Sequence, residues 1–129
     1  MRKKILVVDD DPEVVELLCF NLKRVGFAIG TATNGVEALK KARSLLPDLI
    51  LLDLMMPELD GFAVCEILRR DTALASVPII MLTAASSGLA RLAGLESGAN
   101  EYLTKPFSVK QLISRIEDLL GHQCVSGEG

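Results

Sequence analysis

Asp9-Asp10-Asp11, Asp53, Thr83 and Lys105 each close a short stretch that reads as a strand. The run before Asp53, Leu49-Ile50-Leu51-Leu52, has the pattern of a strand buried on both faces. A charge where such a strand emerges costs solvation energy unless something pairs with it. Carboxylates gathered at one place repel one another and raise at least one pKa, a conflict that a hard divalent cation removes. Mg2+ prefers a few carboxylate oxygens together with water and phosphate oxygens. Lys105 adds a point charge and Thr83 a hydroxyl, both suited to phosphate oxygens. Two or three acids, one hydroxyl and one lysine describe a metal-assisted phosphoryl site, in which Asp53, the most isolated acid, is the candidate nucleophile. Each residue alone has a plainer reading. The acidic triplet can cap a helix, Asp53 can cap a turn, Thr83 can bond backbone and Lys105 can be solvated. The case rests on their joint placement at four strand ends.

The elements that must place them follow from periodicity. Lys4-Ile5-Leu6-Val7-Val8 reads as an aliphatic strand ending on Asp9, and Pro12 opens a helix with Asp11 as its N-cap. Val14, Val15, Leu18, Leu22 and Val25 recur at helical spacing before Gly26. Residues 27–32 suit an edge strand, and Asn34-Gly35 turns into a helix with Val36, Leu39 and Ala42 on one face. After the central strand, Phe62, Cys65, Ile67 and Leu68 mark a third helix ending near Asp71. Residues 78–83 form an apolar strand ending on Thr83, and a weaker helix spans roughly Ser87 to Ser97. Residues 100–104 are a short strand running into Lys105-Pro106, and Ser108 caps a last helix marked by Leu112, Ile113, Ile116 and Leu119. Alternating strand and helix with short connections predicts an α/β fold, a parallel sheet covered on both faces. All strand C-termini then point to one end, where ligands bind.

The 129 residues suit one domain, expected over 1–121, with 122–129 as a flexible tail or the start of a linker. No apolar run approaches the roughly 18 residues of a membrane span, and the N-terminus is not a secretory signal. A net charge of -3 argues against direct nucleic-acid binding by this domain. Cys19, Cys65 and Cys124 lack metal-site spacing; the first two read as buried reduced thiols, which suits the cytoplasm. Neither G-x-G-x-x-G nor a P-loop occurs, and the single His122 excludes a histidine zinc cluster.

Val7-Val8-Asp9-Asp10, Leu52-Asp53-Leu54-Met55-Met56-Pro57-Glu58-Leu59-Asp60-Gly61, Leu82-Thr83-Ala84 and Tyr102-Leu103-Thr104-Lys105-Pro106-Phe107 resemble the receiver domain of bacterial two-component response regulators, across about Lys4 to Leu120. The resemblance implies a flavodoxin-like (CheY-like) sheet of order 2-1-3-4-5. It also implies that Asp53 accepts phosphate from a histidine kinase. Asp10, Asp53 and the backbone carbonyl of Met55 would hold Mg2+, with Asp9 contributing directly or through water. Thr83 and Lys105 would bind phosphoryl oxygens, and Lys105-Pro106 would be cis.

A switch is implied as well. Phosphorylation would draw Thr83 inward and turn Tyr102 from outward to inward, biasing the surface of the fourth helix, fifth strand and fifth helix toward an output partner or domain. Met55 and Ala85 would flank the path of the hydrolytic water, and neither can orient it, so slow self-dephosphorylation is expected. Glu101 and Arg115 fit the charged dimer surface of receivers with DNA-binding partners, whereas Ala93, Asn100 and Gln111 depart from it, leaving a phosphorylation-dependent homodimer open. Leu89 and Leu92 read as core, with a partner-binding patch as the alternative. A Mg2+-dependent aspartyl-phosphate phosphohydrolase is the competing class. Such enzymes usually carry a second Asp where Met55 stands. An FMN binder is disfavoured because Asp9-Asp10-Asp11 would repel the FMN phosphate.

Overall fold

A computed structural model describes residues 2–84 and 87–121. Expectations that fall on Ala85, on His122 and Cys124, and on the tail 122–129 lie outside the described residues. The elements alternate as β1 (Lys4–Val8), α1 (Pro12–Arg24), β2 (Ala28–Ala32), α2 (Gly35–Leu45), β3 (Leu49–Leu52), α3 (Gly61–Arg70), β4 (Ile79–Thr83), α4 (Gly88–Glu96), β5 (Glu101–Thr104) and α5 (Val109–Leu119). All strand pairings are parallel, and the sheet order is β2-β1-β3-β4-β5. This is the flavodoxin-like, doubly wound arrangement, with the mixed strands β2 and β5 at the edges.

Alternation along the buried strands divides the core in two. Leu6, Val8, Ile50, Leu52, Ile79 and Met81 face α2, α3 and α4, meeting Ala38, Ala42, Val64, Cys65 and Leu68. Ile5, Val7, Leu49, Leu51, Ile80 and Leu82 face α1 and α5, meeting Leu18, Leu22, Leu112 and Ile116. Every helix begins on a side-chain cap that accepts a backbone N–H: Asp11, Asn34, Asp60, Ser87 and Ser108. Each satisfies a donor the first turn leaves unpaired, worth about 1 kcal/mol.

Four apolar residues that the spacing marks as inward do not face the core. Leu89 and Leu92 are 81% and 52% exposed and are not core. The inward positions of α4 are instead the small residues Ala90 and Gly94, because the Tyr102 ring from β5 fills the space beneath. Val36 is exposed, and α2 buries Gly35, Ala38 and Ala42. Val25 is the exposed C-cap of α1, because the helix ends at Arg24. Of the two thiols, Cys65 is buried and Cys19 only half-buried, and burial raises both pKa values.

Arg69, near the end of α3, ties the far end of the sheet together. Its guanidinium donates to the carbonyls of Val77 at 2.7 Å and Gly98 at 3.0 Å, and to Asn100 Oδ1 at 3.0 Å. Asn100 Oδ1 also accepts from the Ile79 amide at 2.9 Å, so Asn100 serves as a clamp and β5 begins one residue later, at Glu101.

Candidate functional site at the β1–β3 switch point

Each candidate residue stands at or just past a strand end, held there by a continuation of the sheet hydrogen bonds. The Asp9 amide donates to Ala32 O at 3.1 Å and the Asp53 amide to Val8 O at 2.9 Å. On the other side the Lys105 amide donates to Thr83 O at 2.8 Å. Parallel register thereby sets Asp9 between β2 and β3, Asp53 beside β1, and Lys105 beside Thr83. The crevice lies where the chain reverses its direction of winding, between β1 and β3.

Within it the carboxylate oxygens of Asp9, Asp10 and Asp53 approach within 4.8 Å of one another, with Asp9 and Asp53 buried and Asp10 exposed. Lys105 Nζ lies 2.7 Å from Asp9 Oδ2 and 3.8 Å from Asp53 Oδ2. Asp9 Oδ1 accepts from the Asp11 amide at 2.9 Å, and Asp53 Oδ1 from the Met55 amide at 3.1 Å. Burial first, and then the charge of Asp9, push the Asp53 carboxyl up to about 6. The Met55 amide and Lys105 oppose that rise. One lysine does not offset three acids, which is the setting in which a divalent cation gains most. Thr83 is fully buried at the end of β4, and the Lys105–Pro106 peptide is cis.

The loop after Asp53 is drawn tight by Gly61. Its amide donates to Leu54 O at 3.0 Å, and a Cβ there would stand 2.7 Å from Asp53 O and 2.8 Å from Leu54 Cα. Glu58 takes up the turn at φ 69°. Met55, next to the site, is 61% exposed. Tyr102 is buried, the inward of the two positions the resemblance implies, and burial raises its phenol pKa against the opposing charge of Arg91.

Sequence reasoning passed over Arg91 and Gly94. Arg91 donates to Tyr102 O at 2.9 Å, and its guanidinium carbon lies 6.0 Å from the ring centroid. Gly94 lowers the helix propensity of α4. The signal that would have found it is an aromatic on the neighbouring strand that needs room.

Fold and site define a flavodoxin-like domain with an acidic, lysine-bearing crevice at its switch point. The family described as "Response regulator receiver domain" matches residues 5–117, and the chain belongs to it. It is 49% identical to the alkaline phosphatase synthesis transcriptional regulatory protein PhoP of Bacillus subtilis, over 93% of this chain and 49% of that protein. It is 47% identical to the DNA-binding response regulator MtrA of Mycobacterium tuberculosis, over 90% of this chain and 50% of that one. The chain thus spans about half the length of the curated relatives it matches. Among solved structures, the Francisella response regulator 1452 receiver domain superposes with a TM-score of 0.87 at 36% identity, covering 95% of this chain and 99% of that one. The beryllofluoride-activated N-terminal receiver domain of Klebsiella pneumoniae RstA gives 0.84 at 32% identity, covering 92% and 99%. No helix among the described residues is long and apolar enough to cross a membrane.

Proposed function

We propose that this domain, spanning residues 1–121, is a cytoplasmic phosphorylation-activated switch in which Asp53 accepts a phosphoryl group from a sensor histidine kinase or phosphotransfer protein. The observation that carries the reading is a buried Asp53 grouped with Asp9 and Asp10 and faced by Lys105. An Asp53 carboxylate oxygen forms the new O–P bond as the P–N bond to the donor imidazole breaks, and the imidazole leaves with that electron pair. Asp10, Asp53 and the Met55 backbone carbonyl would hold Mg2+, with Asp9 assisting directly or through water. Bound there, Mg2+ neutralises charge on the carboxylates and the phosphoryl oxygens.

Lys105 is paired to Asp9 at 2.7 Å and lies close enough to Asp53 to turn toward an added phosphoryl oxygen. The Thr83 hydroxyl, at the adjacent strand end, binds another. The occupied site favours the inward Tyr102 and one arrangement of the α4-β5-α5 surface. The domain is read as a signalling switch rather than an enzyme turning over a separate substrate. Its output is a partner or an attached domain. Relatives named as DNA-binding or transcriptional regulators extend well beyond the matched region, which supports an output in gene regulation.

Incubation with acetyl phosphate and Mg2+, read by intact mass, tests the assignment. One added phosphoryl group on the wild type and none on Asp53→Ala is expected. Undiminished labelling of Asp53→Ala removes the claim.

A further inference from the structure

Tyr102 and Met81 are register partners across β5 and β4 and point to the same face of the sheet, under α4. The ring is 1% exposed although it springs from an edge strand. An edge-strand aromatic reaches that burial only if the covering helix leaves room, and α4 does so at one residue. A Cβ at Gly94 would stand 2.8 Å from Tyr102 Cδ2, 3.0 Å from Cε2 and 3.1 Å from Met81 Sδ. Contacts that close force the ring, the sulfur or the helix to move. The other glycine of α4, Gly88, has nothing within 4 Å of such a Cβ. One turn before Gly94, Arg91 reaches over the strand to Tyr102 O at 2.9 Å, with its guanidinium beside the ring.

We propose that α4 is a latch on Tyr102, in which Gly94 leaves the slot the ring fills and Arg91 closes it from outside, so that the ring is held buried before Asp53 is modified. Gly94 and Arg91 are positioning residues and touch no reacting atom. The consequence for signalling rests on the phosphoacceptor reading of Asp53. If the phosphoryl state favours a buried ring, a latch that already holds it buried lowers the cost of reaching that state. Weakening the latch must weaken ligand binding at Asp53 by the same factor that it depopulates the buried ring.

Tyr102 is the only tyrosine in a chain without tryptophan, so its fluorescence reports this ring alone. Acrylamide quenching is measured on the whole chain in EDTA, for wild type, Gly94→Ala, Arg91→Ala and Gly88→Ala, with far-UV dichroism to establish folding. Weak quenching in wild type and Gly88→Ala, a severalfold rise in Gly94→Ala and an intermediate rise in Arg91→Ala are expected. A wild-type ring as accessible as free tyrosine, protected only when Mg2+ and beryllofluoride are added, overturns the latch. So does a folded Gly94→Ala that is quenched like wild type. If Gly94→Ala does not fold, Arg91→Ala decides, and wild-type quenching there overturns the proposal. In a second arm, beryllofluoride with Mg2+ is titrated against the same fluorescence, and severalfold weaker binding to Gly94→Ala is expected. Equal affinity in a variant whose ring is exposed overturns the link to signalling. Failure of wild type to bind beryllofluoride at all removes the Asp53 reading, while the EDTA measurements still decide the latch.

Discussion

The ammonium of Lys105 is hydrogen-bonded to Asp9 Oδ2 at 2.7 Å, not to Asp53, whose nearer oxygen is 3.8 Å away. The lysine therefore pairs with the more deeply buried acid and only partly offsets the second. Lys105→Met keeps the length of the side chain and leaves both acids without a cation. A loss of about 2 kcal/mol in metal-free urea unfolding near neutral pH is expected, less than for a fully buried pair because Lys105 is partly solvated. Mg2+ should recover most of it, since the ion supplies the missing charge. Equal stability of mutant and wild type in EDTA would show that the pair contributes nothing.

The Asp53 carboxyl titrates at about 6 in the fold against 3.8 unfolded. A raised acid favours the folded state only while protonated. No penalty exists below pH about 4, it grows as pH rises to about 6, and above that the metal-free fold carries about 3 kcal/mol at about 1.4 kcal/mol per unit. Asp53→Asn stays neutral throughout and can still accept from the Met55 amide. Denaturant unfolding in EDTA should find it more stable than wild type above pH 7, by up to about 3 kcal/mol, with the advantage gone near pH 4. Saturating Mg2+ should shrink the gap by binding wild type better. An advantage that grows toward acid pH would reverse the sign and refute the argument.

Gly61 lets the start of α3 lie against the backbone that carries Asp53, with Asp53 O only 2.7 Å from a built Cβ. Backbone atoms cannot swing aside as a flexible side chain can. Gly61→Ala should cost about 1–3 kcal/mol through overpacking and slow labelling by acetyl phosphate, because the displaced loop carries Asp53 and Met55. Thermal unfolding and labelling rate measured on the same samples check both parts; unchanged values in both would show that the loop yields without cost.

The polar residues that end the three buried strands were legible because strand direction is a consequence of parallel topology. Once Ile5–Val8, Leu49–Leu52 and Ile79–Thr83 read as buried strands, Asp9, Asp53 and Thr83 had to emerge together. The caps Asp11 and Ser108 were legible for a similar reason, since a helix start has few ways to satisfy its amides. The inner face of α4 was not. Its apolar spacing marks Leu89 and Leu92, yet what a helix buries depends on the volume beneath it, and Tyr102 occupies that volume. The Arg69–Asn100 clamp escaped notice because its long-range bonds join residues 29 and 31 positions apart, and Arg69 also donates to the backbone carbonyls of Val77 and Gly98.

Met55 follows Asp53 by two residues and is 61% exposed beside the acid, its amide bonded to Asp53 Oδ1 at 3.1 Å. Hydrolysis of an acyl phosphate requires a water held in line behind phosphorus, and a thioether neither donates a proton nor accepts one strongly enough to hold it there. A long-lived phosphorylated state is therefore expected, and Met55→Asn, which supplies a donor and an acceptor at the same position, should shorten it severalfold. Because Met55 is exposed, the substitution should leave unfolding midpoints nearly unchanged, which separates a change in lifetime from a change in stability. Loss of phosphate after removal of acetyl phosphate, followed by intact mass, measures the lifetime directly. A phosphorylated half-life of seconds in wild type, with Met55→Asn making no difference, would place control of the water elsewhere.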